Sequence, residues 1–160
     1  MVHAAASRRG SKGVVTMTHV MRRGDADFDA NSFINTTGDK VATKRPPKGA
    51  SQTVEVPLTT FDDLLADHEG PIDFASIDVE GHELDLLDGF DLDRFRPRAI
   101  LIEDHGEDDD SPIARHLHQR GYAHICWFAW NRLFVRLDDP ELLARAREIF
   151  PNTLPLTGEG

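Results

Sequence analysis

Two short stretches concentrate the side chains that could do chemistry. One reads Asp78-Val79-Glu80-Gly81-His82-Glu83 and the other Glu103-Asp104-His105, and each closes an apolar run, Ile72 to Ile77 and Ala99 to Ile102. Carboxylates crowded at one sheet edge raise one another's proton affinity, which is how a general base is made. The candidate catalytic residues are therefore Asp78, Glu80, His82, Glu83, Glu103 and His105. A divalent cation held by the same oxygens could instead acidify a hydroxyl or serve a hydrolase. The plain alternative is that these groups cap helices or face water, since a helix dipole favours acids at its N-terminus and needs no ion. No metal ligand set is assigned.

The elements that must position these residues read as an α/β pattern. Val14, Val15 and Met17 suggest a short strand, with a turn at Arg22-Arg23-Gly24. A polar stretch follows and ends in the loop Lys44-Arg45-Pro46-Pro47-Lys48-Gly49. Val54 and Val56 alternate as a strand, and Thr59 or Thr60 can cap a helix through Leu64 and Leu65 that stops near Gly70. Ile72 to Asp78 reads as a buried strand, followed by a turn at Gly81 and a short helix with Leu84, Leu86 and Leu87. Ala99-Ile100-Leu101-Ile102 is apolar on both faces, which suits the interior of a parallel sheet. Ser111 and Pro112 start a helix closed by Gly121, and strands from His124 to Phe128 and Arg132 to Val135 meet near Asn131. A last helix spans Pro140 to Phe150, with Leu142, Leu143 and Ile149 on its apolar side. Alternating strands and helices of this kind place ligands beyond the carboxyl ends of the strands, where both acidic clusters fall.

Composition narrows the partners. The 160 residues carry 28 acids and 18 Lys or Arg, a net charge of −10, with Asp outnumbering Glu 19 to 9. Such a chain is repelled by nucleic-acid backbones and by anionic membrane surfaces, so neither is an expected partner. The longest apolar run, Ile125 to Trp130, is far below the roughly 20 residues a spanning helix needs. The N-terminus has no apolar stretch after its arginines, so it does not read as a secretion signal. The single Cys126 permits neither an internal disulfide nor a cysteine zinc cage, and a cytoplasmic location is expected.

Lesser signals are read conservatively. Asp25, Asp27, Asp29 and Asn31 have the opening spacing of a calcium loop, but Ala30 and Thr36 stand where its Gly and Glu belong. Glu107 to Asp110 suit the helix start at Ser111. His116 and His118 are two apart and face different ways on a helix. Trp127, Phe128 and Trp130 could line a pocket, although strand aromatics are more often core, with Cys126 among them.

The segment Val54-Glu55-Val56-Pro57-Leu58-Thr59-Thr60-Phe61-Asp62-Asp63-Leu64-Leu65, then Ile72-Asp73-Phe74 and Ile77-Asp78-Val79-Glu80-Gly81-His82-Glu83, resembles the FkbM-type methyltransferases. The likeness continues through Leu87-Asp88-Gly89-Phe90, Arg96-Pro97-Arg98, Ile102-Glu103 and Asn131-Arg132-Leu133-Phe134-Val135-Arg136, and more loosely covers Gly13 to Phe33. It implies an S-adenosylmethionine-dependent enzyme that methylates a hydroxyl of a sugar or natural product, on a Rossmann-like class I sheet. The strands ending at Asp78 and Glu103 would be its fourth and fifth, and the last two a reversed closing hairpin. Asp78 and Gly81 would then meet the cofactor, Asp78 orienting it or the substrate. His82, Glu83, Glu103 and His105 would supply the base.

Such enzymes open with a strand, a Gly-rich loop and a helix that cradle the cofactor. Gly10-Ser11-Lys12-Gly13 is a poor substitute, and Gly158-Glu159-Gly160 has no strand or helix after it. The resemblance therefore implies a sheet incomplete at its N-terminal half. Residues 1–50 would be a weakly ordered remnant, 51–137 the C-terminal half of the domain, and 138–160 a helix and tail. The fourth strand would then expose an edge that could pair with a second copy or another chain, making a non-catalytic partner-binding module the rival to a truncated methyltransferase.

Overall fold

In the computed structural model, which describes residues 4–21, 33–34, 36–37, 40–41, 50–106 and 110–151, the early strands build one sheet and the later ones another. The turn at 22–24, the calcium-loop-like stretch 25–31, the basic loop 44–49, the acids 107–109 and the glycines 158 and 160 lie outside the described residues. The early strands are β1 (Ala5–Ala6), β2 (Val14–Met21), β3 (Phe33–Ile34), β4 (Thr36–Thr37), β5 (Lys40–Val41) and β6 (Ala50–Thr59). They form a sheet of order β1-β6-β2-β3 and a separate β4-β5 ribbon. β2 runs antiparallel to β6 from Val14 opposite Pro57 to Met21 opposite Ala50, so the pairing spans the expected boundary at residue 50. Buried Ala5 and Val15 pack with Met17, Val56 and Leu58.

The later chain continues with α1 (Phe61–Leu64), β7 (Phe74–Ile77), α2 (Glu83–Asp88), α3 (Leu92–Phe95) and β8 (Ala99–Glu103). It ends with α4 (Pro112–His118), β9 (Tyr122–Phe128), β10 (Asn131–Arg136) and α5 (Pro140–Ile149). Its sheet has the order β7-β8-β10-β9. β7 and β8 are parallel, while β10 is antiparallel to both β8 and β9. The expected fourth and fifth strands lie side by side, and the last two form the expected reversed hairpin of a Rossmann-like sheet. Its main core joins Ile77, Ile100, Ile102 and Phe134 of the sheet to Leu86 and Leu87 of α2, Phe95 of α3 and Leu117 of α4.

Caps set several helix starts. The Thr60 hydroxyl accepts from Asp63 N–H at 3.0 Å, Ser111 Oγ accepts from Ala114 N–H at 3.0 Å, and Asp139 Oδ1 from Leu142 N–H at 3.0 Å. Each such cap stabilises its helix by about 1 kcal/mol.

The structure corrects four expectations. The strand before Asp78 is not buried: β7 is outermost in its sheet among the described residues, only Ile77 is buried, and Phe74 is 53% exposed. β8 does not sit inside a parallel sheet, because its second neighbour β10 runs the other way, and its apolar faces are covered by α2 and α4 on one side and α5 on the other. Ile149 is exposed, and α5 buries Leu143 and Ala146 instead. Trp127, Phe128 and Trp130 are exposed and not core, because the first two end β9, the outermost strand on that side among the described residues, and the third stands in the hairpin turn.

Candidate active site

The parallel register sets Ile77 beside Ile102, so Asp78 and Glu103 leave the sheet at neighbouring points. The turn after β7 is tight. Glu80 has φ +54° and Gly81 φ +96°. Glycine takes that region without penalty, whereas a residue with a Cβ is strained there by about 1–3 kcal/mol. Glu83 holds the turn in place. Its buried Oε1 accepts from Val79 N–H at 3.2 Å and Gly81 N–H at 3.1 Å, so Gly81 is fixed through its backbone donor. His82 caps α2 without a side-chain hydrogen bond, and its Nδ1 lies 3.5 Å from Asp85 Oδ2.

Glu103 is the centre of the cluster. Its Oε1 stands 3.3 Å from His105 Nε2, while Oε2 is buried with no hydrogen-bond partner among the described residues. Burial first, then the charge of Asp78, push the Glu103 carboxyl above its ordinary value. Glu83 and Glu80 add to the rise, and His105 opposes it. Five of the six candidates, Asp78, Glu80, Glu83, Glu103 and His105, thus share one electrostatic environment, while His82 engages Asp85. Asp78 is exposed, whereas Glu83 is buried and braces the turn.

Sequence reasoning missed what stands behind this cluster. Asp104 is buried and accepts from Ser111 Oγ at 2.5 Å and from Gly106 N–H at 2.9 Å. Arg132, fully buried, brings Nε to 3.2 Å from Asp104 Oδ2 and sets its guanidinium 3.9 Å from the Trp127 ring centre. A Cβ on Gly106 would come 2.6 Å from Ser111 Cβ, so the loop closes this tightly only with glycine. The available signal was an arginine inside the apolar run of β10, facing an acid at the end of β8.

The hairpin turn completes this edge. Ala129 has φ +53°, the left-handed start that suits a tight primed turn, and Asp104 N–H donates to Trp130 O at 2.9 Å. The Trp130 ring stands 5.7 Å from His105. A cavity of about 230 Å³ lies at the other end of the sheet, between Arg96, Arg120, Tyr122 and Arg136, and contains none of the candidate residues. The Gly10 to Gly13 segment joins two strands rather than a strand and a helix. Among the described residues no group of three or more His, Cys, Asp or Glu could hold a metal ion, and no helix is long and apolar enough to cross a membrane.

Comparison with known families gives one match. The family model described as the methyltransferase FkbM domain fits residues 12–123, reaching further toward the N-terminus than the clearest sequence likeness and stopping at the start of β9. No curated protein and no solved structure matches the chain.

Proposed function

Because this chain belongs to the FkbM methyltransferase domain family, we propose that it takes part in S-adenosylmethionine-dependent O-methylation of a small-molecule hydroxyl in the cytoplasm, with Glu103 as the base. The observation that carries the reading is Glu103 Oε2, buried without a hydrogen-bond partner among the described residues at the carboxyl end of β8, on a carboxyl raised in proton affinity. An oxygen in that state is suited to accept a proton from a substrate hydroxyl. His105 orients the carboxyl through Oε1.

S-adenosylmethionine supplies an electrophilic methyl on a sulfonium cation. The donor set fits that charge, because the carboxylates around Glu103 outnumber the one imidazole. Exposed Asp78 would hold the cationic end, and Glu83 would keep the Val79 to Gly81 turn in shape. Orientation of the hydroxyl supplies much of the rate in such transfers.

Calorimetric titration of the 160-residue chain with S-adenosylhomocysteine tests the cofactor reading. Saturable binding that weakens at least tenfold in Asp78→Asn supports it. A folded chain that gives no heat overturns it and leaves a second reading, a partner-binding module. That reading is favoured by β7, the outermost strand with Phe74 exposed, since such an edge invites pairing with another strand or a second copy. Its signature is a concentration-dependent dimer in sedimentation that Phe74→Lys dissolves.

A further inference from the structure

The cavity at the far end of the second sheet is lined mainly by cations. Its volume is about 230 Å³, and Arg96, Arg120 and Arg136 line it together with Asp93, Asp138 and Tyr122. Sites for drug-sized ligands run to roughly 300–1,000 Å³, so this one suits a single compact group. Its walls are tied to one another. Tyr122 Oη donates to Pro97 O at 2.8 Å, Arg136 Nη1 to Arg96 O at 3.3 Å, and Leu137 N–H to Gly121 O at 2.8 Å. Little ordering is left to be lost when a ligand enters.

The charges of the wall do not cancel. Arg96 Nη2 donates to Asp138 Oδ2 at 2.6 Å, while Arg136 donates to both oxygens of the same carboxylate. Two guanidinium groups thus share one acid, which leaves one positive charge over. Arg120 adds a second, since its side chain makes no hydrogen bond or ion pair among the described residues. Arg96 also keeps Nε and Nη1 without partners among the described residues. Asp93, the other acid of the wall, is exposed, where water and salt screen its charge. A surplus of arginine around one hollow is a local exception in a chain of net charge −10. The forked N–H donors of arginine match the oxygens of phosphate in geometry as well as in charge.

We propose that this cavity binds a doubly charged oxyanion, phosphate or the phosphate end of a small phosphomonoester, between Arg120 and Arg96. The two unmatched positive charges equal the charge of the dianion. Arg136 is already engaged by Asp138, so it contributes its charge and leaves the hydrogen bonds to the other two. Arg96 follows α3 and Arg120 follows α4, so the bound anion ties the ends of two helices together. The site lies at the opposite end of the sheet from Glu103 and does not depend on the methyl-transfer reading.

The full 160-residue chain is titrated with inorganic phosphate, methyl phosphate and dimethyl phosphate at constant ionic strength. Binding is followed by calorimetry and by phosphorus NMR line width. The dianions bind saturably, and methyl phosphate binds roughly fivefold or more tighter than its singly charged dimethyl ester. Methyl phosphate that matches or exceeds inorganic phosphate identifies the ligand as a phosphomonoester. Saturation by inorganic phosphate alone identifies it as the free ion. Arg120→Gln, at an exposed position whose loss leaves the core intact, weakens the dianion roughly fivefold or more. Arg120→Lys, which keeps the charge and loses the fork, falls between the two, and Arg145→Gln on the exposed face of α5 changes nothing. No saturation at millimolar phosphate, equal affinity for the dimethyl ester, or an unchanged isotherm in Arg120→Gln overturns the proposal. None of these readouts uses S-adenosylhomocysteine, so this site and the cofactor reading stand or fall separately.

Discussion

The two ends of the second sheet solve the same problem in opposite ways. At the Ala99 end every acid that meets the sheet has an arginine. Asp139 accepts from Arg98 Nε at 2.6 Å, and Asp138 is shared by Arg96 and Arg136. Hydrogen bonds from Arg136 and Arg98 hold Asp138 and Asp139 below the ordinary carboxylate value. At the Glu103 end the buried Asp104 has Arg132, but Asp78, Glu80 and Glu83 gather around Glu103 with His105 beside it, and the proton affinity of Glu103 moves up instead. One strand pair, β8 and β10, carries both ends, so the difference lies outside the ladder they share. Paired charges at one end settle the fold. Clustered acids, a left-handed Glu80 and an exposed Trp130 at the other are features a fold alone has no use for.

The sharpest way to break this contrast is chemical. Glu103→Gln keeps shape and removes the base, so labelled-methyl transfer from S-adenosylmethionine to a hydroxyl acceptor should fall by about 10²–10⁴, while Arg98→Gln at the far end leaves the rate unchanged. Next in size is the hidden support. Arg132→Leu strands the buried Asp104 charge and should cost about 3–5 kcal/mol in urea unfolding, against about 0.2–1 kcal/mol for Arg96→Gln in its exposed pair. Removing the brace with Glu83→Ala leaves two turn donors without their acceptor and should cost about 1–3 kcal/mol.

The smallest effect is on pH. The raised Glu103 contributes stability that is full below the ordinary glutamate value and is lost as pH climbs through its raised value. Asp138 and Asp139 contribute stability that is full above the ordinary aspartate value and is lost as pH falls through their depressed ones. Glu103→Gln should therefore flatten only the first limb of a stability profile, and Asp139→Asn only the second.

Much of this contrast was legible in the sequence. Apolar runs that end in Asp78 and Glu103 announce strands, and the rule that ligands gather at carboxyl ends locates the site. The order of the later strands followed from the family likeness, and Ser111-Pro112 announced its helix directly. Other parts were hidden because they depend on partners distant in the chain. Glu83 looks like a free acid until the Val79 and Gly81 donors curl back onto it. Arg132 shows no partner near it in the chain, and only the fold closes Asp104 and Trp127 around it. The aromatic run from Trp127 to Trp130 has the composition of a core strand, and only the hairpin turn puts Trp130 in water. α3 is four residues long, too short for any periodicity, although Asp91 caps it by accepting from Asp93 and Arg94 N–H.

The most direct test of the account is a carboxyl-carbon NMR titration of Glu103 in the 160-residue chain and in Asp78→Asn. Glu103 should titrate above the ordinary glutamate value, and removal of the neighbouring Asp78 charge should bring it down. A Glu103 that titrates at or below the ordinary value, or ignores Asp78→Asn, would contradict the claim that this end of the sheet holds a base.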